Sequence, residues 1–169
     1  DLSLAIKPDG LLVVCPGALE KEHLEITLEV DPDEEKETLN RKIISCYLNG
    51  YSRINLISKN MFSVYQQKAI REISEKLYLR IMKADAHEVI IENLVDSSKL
   101  PPDIGIRRMH TIAVSMSRDA LKALEQHNDK LASVVFSIDD DVDRFSFLLL
   151  RMLRTATFDP ILANQIGIS

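Results

Sequence analysis

The sequence is poor in cysteine and has no long apolar run. Its two cysteines, Cys15 and Cys46, lie far apart and neither belongs to a CxxC pair. This spacing argues against a disulfide scaffold or a zinc ribbon, and favours a reducing compartment. Charged residues interrupt every apolar stretch within a few positions, so no stretch is long enough to span a bilayer. We therefore expect a soluble, cytoplasmic protein without membrane insertion.

An excess of basic residues is also absent. The formal net charge is −5, and an acidic chain is not by itself suited to hold the phosphate backbone of a nucleic acid. DNA binding would therefore need a basic part outside this sequence.

Motifs of the common enzyme classes are missing as well. The sequence has no Gly-x-Ser-x-Gly elbow, no HExxH pair and no Gly-rich loop after a strand, which are the signatures of hydrolases, metalloproteases and nucleotide sites. The histidines fall in separate elements without ligand spacing: His23, His87, His110 and His127. A non-enzymatic role is predicted, and a metal-dependent hydrolase is the less favoured alternative.

Residues 1–17 predict a β-hairpin. Apolar segments lie on either side of Pro8-Asp9-Gly10, and Pro16-Gly17 ends the second of them. An Asp-Gly turn between apolar segments is typical of a hairpin. Because an isolated hairpin is marginally stable in water, we expect it to need further strands upstream or from a second chain.

Residues 22–96 predict a small unit with the order β-α-β-α-β-β. The segment 23–30 alternates polar and apolar residues, which indicates a half-buried strand. Asp31 suits an N-cap, Pro32 the first helical position and Glu34 a capping-box acid, so a helix is predicted from Pro32 to Asn49. A right-handed crossover would make the first two strands parallel neighbours, with both helices on one face of a four-stranded sheet.

The rest of this unit follows the same kinds of signal. The segment 53–58 predicts the second strand, and Ser63 with Gln66 predicts a capping box that opens the second helix. The segments 79–84 and 88–94 predict a closing hairpin.

Residues 104–127 and 129–156 predict two long amphipathic helices in an antiparallel hairpin, so the fold class is α+β. The predicted apolar stripe of the first helix comprises Met109, Ile112, Ala113, Met116, Ala120 and Leu124. That of the second comprises Leu131, Val134, Val135, Ile138, Val142, Phe145, Leu149, Met152 and Ala156. Both faces are too wide for two helices to bury against each other. We therefore expect a further helix or a second chain to cover them.

An acidic cluster lies in the middle of the second long helix. Asp139 and Asp143 project side by side one turn apart, where two carboxylates repel each other. A cation between them would remove this cost. Spacing alone favours the simpler interpretation, a solvated acidic face.

The two helices resemble the first two helices of a PhoU domain. The similarity is carried by residues 107–124, 139–144 and 148–154, and residues 163–169 resemble the linker before the family's third helix. The resemblance implies that 103–169 is the first part of a PhoU-like domain. It also implies a metal site at Asp139 and Asp143 for a divalent or iron-type ion, because the family repeats an acidic residue, three intervening residues and an Asp. The family's further ligands lie on a third helix.

The remainder resembles one branch of that family. Residues 4–13 are similar to the last hairpin of an AbrB-type DNA-binding domain, and 22–94 resembles the piece that links AbrB and PhoU domains in archaeal phosphate uptake regulators. The resemblance implies a cytoplasmic regulator of phosphate uptake that forms a homodimer. Its partners would be a phosphate transporter ATPase or a sensor protein, with DNA bound through an upstream domain. A regulatory subunit of an ion transporter is the alternative.

Two arginines near the end of the second long helix, Arg151 and Arg154, admit a simple interpretation. Cations in the last turns complement the helix dipole and keep that end of the helix soluble. We expect this role for both, in preference to phosphate binding.

Overall fold

The structure is a computed structural model that describes residues 2–6, 12–16, 24–95 and 101–167. It has the α+β architecture expected from the sequence. Strands β1 (Leu2–Ile6) and β2 (Leu12–Pro16) pair antiparallel, with Leu4 opposite Val14. The predicted hairpin is thereby confirmed, while its Asp9-Gly10 turn lies outside the described residues.

The α/β unit follows the predicted order. Its elements are β3 (Glu25–Glu29), α1 (Lys36–Leu48), β4 (Arg53–Ile57), α2 (Val64–Lys76), β5 (Leu79–Ala84) and β6 (Glu88–Asn93). The strand order in the sheet is β3-β4-β6-β5. β3 and β4 are parallel, and the other two pairs are antiparallel. The parallel pairing of the first two strands is confirmed.

One apolar core joins the two helices to one face of this sheet. Leu39, Ile43 and Tyr47 of α1 pack with Ile70 of α2 and Ile91 of β6 in this cluster. The periods of 3.6 residues in the helices and of two in the strands place these side chains on the shared face. This is the arrangement predicted for 22–96.

The beginning of α1 was predicted wrongly. The helix begins at Lys36 with Glu35 as N-cap, because residues 31–34 form a separate turn. In that turn the Glu34 carboxylate accepts the backbone N–H of Asp31, and the Gln66 side chain donates to the carbonyls of Asp31 and Pro32. These carbonyls are held by Gln66 from α2, a contact that the local sequence does not reveal. The capping box of Ser63 and Gln66 is confirmed.

The helical part consists of α3 (Pro102–Glu125), α4 (Asp129–Ala156) and the short α5 (Pro160–Gln165). The Asn128 side chain caps α4 by accepting the N–H of Leu131 at 3.0 Å. Where α3 meets α4, both helices use positions spaced alternately by four and three residues, as in an antiparallel coiled-coil pair. On α3 these positions are Gly105, Met109, Ile112, Met116, Asp119 and Ala123; on α4 they are Leu131, Val135, Ile138, Val142, Phe145, Leu149 and Met152.

The faces buried between α3 and α4 are narrower than the predicted ones. Ala113, Ala120 and Leu124 of α3 and Val134 of α4 are exposed, Leu124 by 72%. Gly105 and Ala123, which the apolar pattern passes over, are buried instead. The reason is geometric, since a single partner helix covers only the two central positions of each heptad. The expectation that the pair leaves apolar surface uncovered is confirmed.

Tyr47 supplies a pH-dependent prediction. Its hydroxyl is buried and has no hydrogen-bond partner among the described residues, and burial raises the pKa of Tyr47 to about 12. Because the folded pKa lies above the unfolded value, ionisation of Tyr47 costs the fold no stability below about pH 10 and destabilises it increasingly as the pH rises towards 12. Relative to Tyr47→Phe, the wild type should lose roughly 2 kcal/mol of unfolding free energy near pH 12.

Urea unfolding of both proteins at a series of pH values tests this prediction. The difference between them cancels the contribution of lysines and other tyrosines. At pH 8, Tyr47→Phe should be at least as stable as the wild type, because it removes a buried hydroxyl without a partner. A constant difference from pH 8 to pH 12 would contradict the raised pKa.

Candidate functional site

Helix α4 lies between α3 and the α/β unit. It contacts α3 along its length, and it also contacts α1 and α2. Phe147 of α4 packs against the core of the α/β unit, and Met152 is fully buried. Because α4 packs against both parts of the chain, a substitution in α4 can alter the packing of each part.

The contact between α4 and α1 is centred on Arg151. This residue is only 6% exposed. Its guanidinium donates to the carbonyl oxygens of Tyr47, Gly50 and Tyr51, the last two at 3.0 Å. It also stacks on the Tyr47 ring, with Cζ 4.7 Å from the ring centroid. Tyr47 lies in the last turn of α1, and Gly50 and Tyr51 follow that helix. Arg151 of α4 therefore supplies donors to carbonyls at the end of α1.

The earlier interpretation of Arg151 is therefore wrong. The side chain caps α1 and is buried, whereas Arg154 is exposed as expected. No described carboxylate pairs with Arg151, and burial lowers the pKa of its guanidinium, partly offset by Tyr47. The sequence did contain a signal, because Arg151 interrupts the apolar run 148–153. A cation at such a position often reaches a polar target beyond the apolar surface.

Gly50 lies in the turn that Arg151 caps. It has a φ of +91°, a conformation that suits glycine, and a Cβ added there would lie 3.7 Å from Thr155 Oγ1. A glycine with a positive φ just after the last turn is a common end of a helix.

The acidic motif of α4 comprises residues 139–143, and two of its carboxylates, those of Asp140 and Asp143, contact α2. Lys76 Nζ, at the last residue of α2, lies 2.6 Å from Asp143 Oδ2 and 3.6 Å from Asp140 Oδ1. The hydrogen bond with Asp143 raises the pKa of Lys76, and the charges of Asp143 and Asp140 add to this effect. Asp141 pairs with Arg144 at 3.8 Å. The motif is thus partly neutralised by cations of the chain itself.

The predicted metal site at Asp139 and Asp143 stays a prediction. Asp139 is exposed, and Asp143 is bound to the Lys76 ammonium. Within the described ranges, no group of three His, Cys, Asp or Glu side chains could hold a metal ion. Two carboxylates, one of them already paired with a cation, fall short of the ligand number that transition metals and calcium take from proteins. The described residues by themselves do not form a metal centre.

An exposed apolar surface lies beside the α3–α4 contact; we term it the apolar face. At about 100° per residue, one side of the pair carries these exposed residues: Ile106, Leu121 and Leu124 of α3, and Leu150 and Leu153 of α4. Apolar patches of this kind on a folded protein are typical of interaction surfaces. The sequence predicted uncovered apolar area but not which residues would form it.

In the described part of the chain, every helix is too short or too polar to cross a membrane. Searches of the curated proteins and of the solved structures found no match to this chain. A comparison with protein-family models did find one. Residues 106–166, which comprise most of α3 together with all of α4 and α5, match the family model described as PhoU domain. The helical part that carries the acidic motif and the apolar face is thus similar to a PhoU domain.

Proposed function

We propose that the chain is part of a cytoplasmic regulator of phosphate uptake that acts by binding other proteins and not by catalysis. The observation that carries the proposal is the match of residues 106–166 to the PhoU domain. The resemblance of this segment to PhoU proteins implies contact with components of phosphate transport. A phosphate transporter ATPase is the partner we propose.

The apolar face supports a binding role. Leu121 and Leu124 are 63% and 72% exposed on α3. Exposing these side chains to water costs free energy that a partner surface would recover by covering them, on the order of 25 cal/mol per Å² of apolar area. Leu150 and Leu153 of α4 lie towards the other end of the helix pair, near Ile106. A homodimer and DNA binding through an upstream AbrB-type domain belong to the same proposal.

Replacing exposed leucines with aspartate tests this role. Leu121→Asp with Leu124→Asp should lower binding to the phosphate transporter ATPase at least tenfold, because two carboxylates would have to be desolvated in the contact. Helicity should be unchanged, since both positions are exposed. Affinity measured with the purified ATPase, together with circular dichroism of the variant, gives the result.

The matched control is Thr111→Asp, an exposed position on a different side of α3. It adds one negative charge to the same helix, where the test variant adds two, and should leave binding unchanged. A potassium-channel subunit serves as the competing bait, because PhoU-like helices also occur in regulatory subunits of ion transporters. Binding to that bait and not to the ATPase would replace the phosphate proposal by the ion transporter alternative.

A cellular measurement addresses the phosphate step itself. Phosphate uptake by cells that lack the protein should no longer respond to external phosphate, and the wild-type gene should restore the response. The doubly substituted variant should fail to restore it, whereas Thr111→Asp should succeed. An uptake response that persists without the protein would contradict the proposed function.

A further inference from the structure

The acidic motif contacts the end of α2, and the function proposed above assigns no role to this contact. The motif receives its counter-ion from a different part of the fold, since Lys76 ends α2 while Asp140 and Asp143 lie on α4. The ammonium is closest to Asp143, at 2.6 Å from Oδ2. The pair therefore ties two elements that are far apart in the sequence.

We propose that Lys76 is the resident counter-ion of the acidic motif, which fastens the end of α2 to α4 and excludes an external divalent cation from Asp143. The proposal does not depend on the role in phosphate uptake.

The position of Lys76 favours this contact in two ways. It lies in the last turn of its helix, where the negative end of the dipole stabilises a cation. Its side chain is 32% exposed and that of Asp143 is 46% exposed, so water screens the pair less than it screens a freely exposed one.

Among the described residues, two other ion pairs involve α2, and one of them, between Lys36 of α1 and Glu72 at 2.7 Å, also joins two elements. Lys68 contacts Glu72 at 3.7 Å within the same helix, and its side chain is 74% exposed. Such a pair stabilises only its own helix, and weakly. Lys76 instead contacts a second element and two carboxylates. Loss of its charge should therefore affect both the docking of α2 and the local charge around Asp143.

A divalent cation that approaches Asp143 meets the ammonium of Lys76, which lies 2.6 Å from Oδ2. Two positive charges beside one carboxylate repel each other. Removing the ammonium leaves Asp139, Asp140 and Asp143 without that positive charge. The excess negative potential should then attract a divalent ion more strongly than it does in the wild type.

The test uses Mn²⁺ alone as the probe, with wild type, Lys76→Met and Lys68→Met. Methionine keeps much of the length of the lysine side chain and removes its charge. Paramagnetic broadening of the backbone amide signals of 139–143 reports where the ion binds. We expect Lys76→Met to bind Mn²⁺ at these residues roughly fivefold more tightly than the wild type, and Lys68→Met to match the wild type. Asp143→Asn added to Lys76→Met should abolish the gain.

A second measurement separates the tie between the helices from the exclusion of the cation. Unfolding of Lys76→Met, Asp143→Asn and the double variant forms a double-mutant cycle. We expect the two sites to be coupled by roughly threefold in the unfolding equilibrium constant, while Lys68 and Asp143 should show no coupling. Equal Mn²⁺ affinity of wild type and Lys76→Met, including no binding to either, would overturn the exclusion. An additive cycle would overturn the tie.

Discussion

Arg151→Met should lower the free energy of unfolding by about 3 kcal/mol. The change leaves the carbonyls of Gly50 and Tyr51 without their Arg151 donor, and the Tyr47 carbonyl keeps only the backbone N–H of Gly50 at 3.1 Å. A buried carbonyl without a partner costs about 1–3 kcal/mol, while the methionine avoids burying a charge. The net loss is therefore well below the sum of three charged hydrogen bonds.

Arg151→Lys should destabilise the protein by a similar amount, although it keeps the charge. A lysine ammonium is a compact donor group that cannot reproduce the planar fork directed at several carbonyls, and it loses the stacking on the Tyr47 ring. Substitution at this position therefore tests geometry and not charge alone. Urea unfolding with the m-value monitored shows whether the chain still unfolds as one unit.

Arg154→Met is the matched control, one turn further along α4 and exposed. Its effect should stay within about 0.5 kcal/mol, as is usual for surface substitutions. Hydrogen exchange at the backbone amide of Tyr51, which donates to the Cys46 carbonyl at 3.2 Å, should accelerate in Arg151→Met only. Equal stability of Arg151→Met and Arg154→Met would mean that Arg151 does not hold α4 to α1.

Gly105→Leu should destabilise the α3–α4 pair by about 2–3 kcal/mol. Gly105 is buried against α4, and even a Cβ at this position would lie 2.9 Å from Leu149 Cδ2. A leucine side chain adds three further carbon atoms where no space exists, so the first turns of α3 must move away from α4. Overpacking of a buried contact typically costs 1–3 kcal/mol, more than the modest gain in helix propensity returns.

A compensating substitution tests the cause. Leu149→Ala alone should cost about 2–4 kcal/mol because it leaves a cavity. In the Gly105→Leu background it should cost much less, since the new side chain fills that space. The pair should therefore show strong favourable coupling in the unfolding free energies. Purely additive losses would contradict a direct steric contact between the two positions.

His110→Leu provides the control on the exposed side of the same helix. It adds a leucine to α3 outside the contact with α4 and should change stability by less than about 0.5 kcal/mol. A loss as large as that of Gly105→Leu would assign the effect to added apolar surface and not to the lack of space beside Leu149.

Local sequence patterns predicted most elements of this protein. The alternation of polar and apolar residues predicted β3, and the capping box of Ser63 and Gln66 predicted the start of α2. The spacing of apolar residues predicted α3 and α4. These signals are local because backbone periodicity and capping depend on neighbouring residues. The beginning of α1 was missed since Gln66, more than thirty residues away, holds the turn that precedes it.

The candidate site was predicted less completely. The acidic motif of Asp139 and Asp143 was recognised from its spacing, and its metal remains a prediction. Lys76 could not be assigned to Asp143 from the sequence, since a lysine at a helix end is equally suited to water. Its partner depends on where α4 lies against α2.

The sequence by itself determined the α+β class, the order of the elements and the acidic and apolar character of α4. Only the tertiary structure decided that Arg151 caps α1, that Lys76 meets the acidic motif, and that Gly105 rather than Leu124 faces α4. The physical reason is that periodicity specifies which side of a helix is apolar, whereas the choice among its possible partners depends on which elements the packed fold brings within a few ångströms.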